Sequence, residues 1–290
     1  MSKRITLAKF AGFCYGVKRA VTTVKKLKIE NPDKNIYVLG ELIHNSQVIS
    51  ELDKLGIKTV YDIPNDKNGI CVIRSHGASP EVIEQIKLSG LELVDLTCPD
   101  VKKVQQHAIK LAQEGDFLVI VGKAEHPEVI AIKANAEQYS DKIFVASEVS
   151  QLEKVKEAIK SHKKVGVVVQ TTQRIETLQS ILDYLTTISK EIHLVNTICQ
   201  STSMRQEEAR ELARENDLVI VVGSKKSANT SHLAEILKDI TQTIHIESDN
   251  ELDDYINTIN KSENIAITAG ASTPQFIIDR VYTKIKGGHE

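Results

Sequence analysis

Apolar residues along this chain fall in short blocks, each bounded by polar turns and followed by an amphipathic stretch. Three segments share one layout. In "ITLAKFAGFCYGVKRAVTTVKKL" an apolar stretch leads to Cys14, and Val17, Ala20, Val21 and Val24 follow at helical spacing. "LVDLTCPDVKKVQQHAIKLAQEG" repeats this around Cys98, with a proline directly after the thiol, and "IHLVNTICQSTSMRQEEARELA" repeats it around Cys199. The order strand, cysteine, helix thus occurs three times, with the cysteines 84 and 101 residues apart. A repeat of this kind constrains the fold more than any single segment does.

Two further elements recur in the same order. A strand pattern ending in glycine follows each cysteine, in "IYVLGELIHN" (Gly40), "DFLVIVGKAEHPE" (Gly122) and "DLVIVVGSKKSAN" (Gly223), at spacings of 26, 24 and 24 residues. Another apolar strand with a polar loop comes later, in "GICVIRSHGASPEVI", "VGVVVQTTQRIETL" and "NIAITAGASTPQFII". Ser79-Pro80 and Thr273-Pro274 read as helix N-caps with proline at the first helical position. Weaker strand patterns lie near Thr59-Val60, Ile143–Val145 and Thr243–Ile246.

Strands alternating with helices of 10–15 residues predict parallel sheets covered by helices. The expected class is α/β, a trefoil of three pseudo-threefold-related units with mostly parallel sheets around a central site. The units are drawn at 1–98, 99–196 and 197–290, the N-terminal strand and Cys14 being able to pack with the third. Open α/β sheets bind ligands beyond the carboxyl ends of their strands. Cys14, Cys98 and Cys199 all fall at such ends.

Composition removes several classes of function. With 290 residues, 41% hydrophobic and 26% charged, the chain can bury about three quarters of its surface and needs no disulfides for stability. Four cysteines without a C-x-x-C pair form no disulfide framework, so a reducing, cytoplasmic setting is expected. No apolar run approaches the ~18 residues of a membrane helix. Lys9 interrupts the only apolar stretch near the start, which therefore does not read as a signal peptide. A net charge of −2, 4% aromatics and no Trp argue against nucleic acid as a partner.

Free cysteine is often a small core residue, and Cys71, inside "GICVI" and outside the repeat, is read that way. Equivalent placement in three repeats favours a site for the other three. Thiols at helix N-termini lose their proton more readily, as ligands must. Three thiolates could hold zinc with a fourth ligand, or an iron–sulfur cluster with one iron open to substrate. Spacing alone leaves both readings standing.

The remaining strand-end loops carry His44, His76, His126, Thr171, Ser227, Asn229 and Ser272. Singly these are ordinary caps and turn residues. Together they offer imidazole, hydroxyl and amide donors beside helix N-termini, a set that suits phosphate or diphosphate. "GSKKSANTS" lacks the second glycine that a P-loop has before its lysine. Glu128, one residue beyond Pro127, stands in the first turn of a predicted helix. The helix dipole would keep it ionised, whereas burial beside a diphosphate would turn it into a proton donor. The other histidines, His107, His162, His193, His232, His245 and His289, have no repeat counterpart and are read as surface or packing residues.

The segments "GFCYGVKRA", "GELIHN", "SHG", "DLTCP", "HPEV", "QTT", "TIC", "GS..S.N" and "TAGAS", taken in order, resemble the 4-hydroxy-3-methylbut-2-enyl diphosphate reductase family. The resemblance runs from Cys14 to Ser272. It implies a 4Fe–4S cluster on Cys14, Cys98 and Cys199, with one open iron. It also implies a diphosphate held by His44, His76, His126, Ser227, Asn229 and Ser272. Thr171 would orient the substrate hydroxyl and Glu128 would deliver protons. Electrons would come from ferredoxin or flavodoxin, and the products would be isopentenyl and dimethylallyl diphosphates. The family usually carries two adjacent serines before the asparagine; here they are Ser227 and Ala228. Read from the residues alone, a non-redox iron–sulfur hydro-lyase and a metal-bound phospho-ligand sensor remain alternatives.

Overall fold

The structure, a computed structural model, describes residues 3–287; His289 lies outside them. The first third of the chain runs β1 (Arg4–Leu7), α1 (Tyr15–Glu30), β2 (Ile36–Leu39), α2 (Ser46–Lys54), β3 (Ile57–Val60), β4 (Ile70–Ile73), α3 (Pro80–Ser89) and β5 (Glu92–Asp95). The middle runs α4 (Pro99–Gln113), β6 (Phe117–Val121), α5 (Pro127–Ala136), β7 (Ile143–Ala146), α6 (Val149–Leu152), α7 (Lys156–Ser161), β8 (Val165–Val169), α8 (Ile175–Ile188) and β9 (Ile192–Leu194). The last third runs α9 (Gln200–Glu215), β10 (Leu218–Val222), α10 (Ala228–Lys238), β11 (Gln242–Ile246), α11 (Ile256–Lys261), β12 (Asn264–Ala269) and α12 (Gln275–Lys286).

The chain divides into two compact units. The first takes the N-terminal stretch to Arg19, Ile43–Glu51 and everything from Gln200 onward. It holds one four-stranded sheet in the order β1-β12-β10-β11, parallel throughout. The second unit, Ala20–Leu42 and Leu52–Cys199, holds two such sheets, β3-β2-β4-β5 and β7-β6-β8-β9, also parallel. All three sheets have one topology: an edge strand leading to a cysteine, a central pair, and a second edge strand. The expected α/β class with three parallel sheets is the one this chain adopts.

The physical reason lies in the strand sequences. "FLVIV", "VGVVV" and "LVIVV" are buried at every position, as strands covered on both faces must be. In the first unit, Leu218, Ile220, Val222, Ile267 and Ile277 belong to one apolar cluster on one side of the sheet, and Val219, Val221, Leu233 and Ala266 to another. In the second unit, Val119, Val167 and Leu178 face one cluster, whereas Leu118, Ile120, Val129 and Val168 face the other. Period-two alternation thus serves two cores at once.

The repeat extends to single hydrogen bonds. Gly40, Gly122 and Gly223 each donate a backbone N–H to the last residue of the neighbouring edge strand, Val60, Ala146 and Ile246, at 2.7, 2.9 and 2.8 Å. The three weak strand patterns are those edge strands, β3, β7 and β11. The caps differ between repeats. Ser79 Oγ accepts from Val82 N at 3.3 Å and caps α3 as expected. At α12 the N-cap is Pro274, and the buried Thr273 hydroxyl instead donates to Val222 O at 2.9 Å. Sheet contact takes the hydroxyl that capping would have used. No helix of the described residues is long and apolar enough to cross a membrane.

Candidate active site

Each of the three repeat cysteines is fixed by the same bond. Cys14 N donates to Ala271 O at 3.2 Å, Cys98 N to Ser75 O at 2.9 Å and Cys199 N to Thr171 O at 3.0 Å. Every acceptor lies two residues beyond the end of the central strand beside the cysteine's own edge strand, β12, β4 or β8. All three thiols are half-buried and outside any disulfide, and each directly precedes a helix. Val17 N donates to Cys14 Sγ at 3.5 Å. Cys71 is the contrast: it is fully buried in β4, and burial pushes its thiol up to about 11.

In the second unit the expected residues form one continuous chain of contacts. Beyond Cys199, Thr171 donates its N–H to Glu128 Oε1 at 2.6 Å and its hydroxyl to Oε2 at 2.7 Å. Glu128 N donates to His126 Nδ1 at 3.2 Å, so His126 caps α5 through its ring. That bond requires Nδ1 as acceptor, which puts the proton of a neutral His126 on Nε2, a donor for an anion. The His126 ring meets His76 edge to face at 5.4 Å, and His76 follows Ser75, the acceptor for Cys98.

Glu128 is 2% exposed. Burial raises its pKa to about 7, against the pull of the two Thr171 hydrogen bonds, which favour the anion. Desolvation outweighs the stabilisation of charge by these two bonds. The carboxyl is poised to hold a proton near neutrality and to give it up.

The first unit carries Cys14, His44, Ser227, Asn229 and Ser272. Ser272 Oγ donates to His44 O at 3.3 Å, tying those two loops together. Ser227 caps α10 without a side-chain cap bond, and no acidic residue occupies that helix's first turn. Asn229, in the same turn, is 4% exposed, and neither atom of its amide has a hydrogen-bond partner among the described residues. A buried amide without partners costs free energy unless a ligand satisfies it. Thr230 packs where a Cβ on Gly270 would stand, which brings the start of α10 up to the Ser272 loop.

Two residues were not singled out in the sequence. Arg205, 4% exposed on α9, donates to the carbonyls of Phe10, Gly12 and Ala269, the latter two at 2.6 and 3.1 Å. Glu208, one turn on, accepts from Lys9 N at 2.6 Å and Phe10 N at 2.9 Å. Together they clamp the loop that presents Cys14, and Gly12 turns within it at φ +91°. Their only trace in the sequence is an i, i+3 Arg–Glu pair, which reads as a solvent-exposed helix face.

Comparison with known proteins follows the same residues. Positions 5–286 match the sequence profile of the LytB protein. The chain belongs to the LytB protein family. It is 41% identical over 283 residues to the 4-hydroxy-3-methylbut-2-enyl diphosphate reductase of Geobacter sulfurreducens, covering 97% of this chain and 96% of that one. The reductase of the same name from Aquifex aeolicus is 39% identical over 284 residues, again 97% and 96% of the two chains. A solved structure of (E)-4-hydroxy-3-methyl-but-2-enyl diphosphate reductase, the terminal enzyme of the non-mevalonate pathway, is 36% identical with a TM-score of 0.73. It is covered over 100% of its length and 99% of this chain. The reductase structure from Plasmodium falciparum is 27% identical with a TM-score of 0.88, over 94% of its length and all of this chain. Family membership matches the resemblance read from the ordered motifs.

Proposed function

We infer that this chain is a 4-hydroxy-3-methylbut-2-enyl diphosphate reductase, removing the allylic hydroxyl of its substrate to give isopentenyl and dimethylallyl diphosphates. The observation that carries the mechanism is the buried Glu128, bonded to Thr171, one step from Cys199. A carboxyl with a pKa near 7, among half-buried thiols and anion donors, suits dehydroxylation better than simple ligand storage.

The family's cofactor is a 4Fe–4S cluster, and the donor set fits one. Three thiols share one backbone anchor at strand ends, whereas the fourth is a core residue with a raised pKa. We assign Cys14, Cys98 and Cys199 as its ligands. When bound, such a cluster supplies single electrons and, at an iron without a protein ligand, Lewis acidity.

The protein's own groups do the rest. Asn229, Ser227 and the start of α10 bind diphosphate oxygens, joined by Ser272 and by His44, His76 and His126. The Thr171 hydroxyl, now donating to Glu128, orients the substrate hydroxyl beside it. Converting ROH to RH and water consumes two electrons and two protons. Glu128 gives the first proton, to the departing hydroxyl, so that water leaves rather than hydroxide. Electrons arrive from a ferredoxin or flavodoxin in a reducing, cytoplasmic setting. The repeat boundaries at 98 and 196 are taken to separate three α/β units, with β1 and Cys14 packing with the third; pairing of β1 with β12 supports the latter.

The test is product analysis. Anaerobic protein with a strong artificial reductant should turn 4-hydroxy-3-methylbut-2-enyl diphosphate into both five-carbon products. Formation of a hydrated or dehydrated product without electron consumption would instead identify a hydro-lyase.

A further inference from the structure

The amino ends of β6, β8 and β9 in the second unit hold a cluster unrelated to the groups above. Asp116, directly before β6, is 0% exposed. Its repeat counterpart shows the ordinary use of an aspartate here: Asp217 Oδ2, before β10, accepts from Glu263 N at 3.1 Å and Asn264 N at 2.9 Å. Asp116 departs from this pattern. Neither of its oxygens has a hydrogen-bond partner among the described residues, although His193 Nδ1 stands 3.0 Å from Oδ2. The contact is close enough for an ion pair, yet lacks hydrogen-bond geometry. It is also the spacing of two ligand atoms on one ion: ligands about 2.1 Å from a cation, at right angles, lie about 3.0 Å apart.

Three more features converge. Glu114, at the end of α4, brings a carboxylate oxygen so that ligand atoms of Glu114, Asp116 and His193 all lie within 4.8 Å of one another. Its other partner is Lys110, loosely placed at 3.7 Å. The second ring nitrogen of His193, Nε2, lies 2.9 Å from Glu191 Oε1, and Lys164 pairs with that carboxylate at 3.2 Å. A metal-bound histidine commonly donates its other N–H to a carboxylate in this way. Gly166, in register with His193, leaves the passage open: a Cβ there would meet Asp116 Oδ2 at 3.2 Å and Leu111 Cβ at 3.0 Å.

We propose that Glu114, Asp116 and His193 bind a divalent transition metal of the zinc or manganese class. Two carboxylates and one imidazole, without thiolate, select such an ion over copper(I) and over all-oxygen calcium sites. The ion joins the end of α4, whose start follows Cys98, to β9, whose carboxyl end leads to Cys199. It pins from behind the two elements that carry those cysteines.

The test titrates Mn2+ into iron–sulfur-loaded, oxidised protein, following unbound Mn2+ by its EPR signal. The expected result is saturable uptake of one equivalent, displaced by Zn2+. Glu114→Gln and His193→Gln should each weaken uptake by about tenfold or more, while His107→Gln, at an exposed histidine of α4, leaves it unchanged. Both test residues reach the surface, with side chains 44% and 32% exposed, so circular dichroism should be native. If wild-type protein takes up no equivalent, or both variants bind as well as wild type, the proposal fails. His193 then bridges Asp116 and Glu191 without an ion.

Discussion

Replacing Glu128 by glutamine removes one exchangeable proton and little else. The amide keeps the length of the side chain; its oxygen accepts the Thr171 N–H, and its nitrogen donates to the Thr171 hydroxyl, which rotates to receive it. Burial raises the Glu128 carboxyl to about 7. The acid form is therefore about half populated at pH 7 and about one tenth at pH 8, falling tenfold per further unit. If that form supplies the proton, wild-type kcat should be flat at low pH and decline about tenfold per unit above 7. Glu128→Gln should lose turnover by about 10²–10⁴, or roughly 3–5 kcal/mol of barrier, and should also lose that alkaline limb. Thr171→Val removes a hydrogen bond to the anion, worth about 1.5–3 kcal/mol, and should move the limb upward by roughly one to two pH units. The assay is steady-state kcat with excess artificial reductant across pH, with cluster absorbance recorded alongside. A variant with an intact cluster, kcat within a factor of a few of wild type and the same alkaline limb would refute the proton-donor role.

Three further outcomes are expected. Asn229→Ala should raise KM by about 10–100-fold, the worth of a hydrogen bond to a charged ligand. Melting should not suffer, because the amide it removes has no partner among the described residues; a large drop in Tm would contradict that reading. Ala228→Ser, at the first position of α10, should be tolerated and lower KM by up to about fivefold through one added hydrogen bond; a collapse of activity would show that the loop has been misread. Arg205→Met should leave the carbonyls of Phe10, Gly12 and Ala269 without their donor, at about 1–3 kcal/mol for each buried acceptor. Iron content and Tm should fall together, and unchanged iron would separate the clamp from Cys14.

Sequence periodicity made the architecture legible because its signals are local. Blocks such as "LVIVV" and the cysteine before each helix are written within a few residues, and three copies confirmed one another. The second edge strands β3, β7 and β11 were weaker, since edge strands are short and half-exposed. Cap positions were legible at Ser79 but not at Thr273, where a sheet carbonyl competed for the hydroxyl. The pKa of Glu128 was undecided, because its burial is a property of packing and not of the HPE turn. Arg205 and His193 were hidden for the same reason. The Arg205 partners lie 64, 193 and 195 residues away in the chain, and the Asp116 that meets His193 stands just before another strand.

The central claim is that Cys14, Cys98 and Cys199, and not Cys71, carry the chemistry of this chain. Iron and sulfide per chain, measured after anaerobic purification of the four Cys→Ser variants, test it most directly. A serine alkoxide is a hard, poor substitute for a thiolate ligand. Cys14→Ser, Cys98→Ser and Cys199→Ser should each lose most of their iron and sulfide. Cys71→Ser should keep the wild-type content and show only a lower Tm, from a hydroxyl placed in the core of β4. Equal loss in Cys71→Ser, or wild-type iron in any of the other three, would contradict the account.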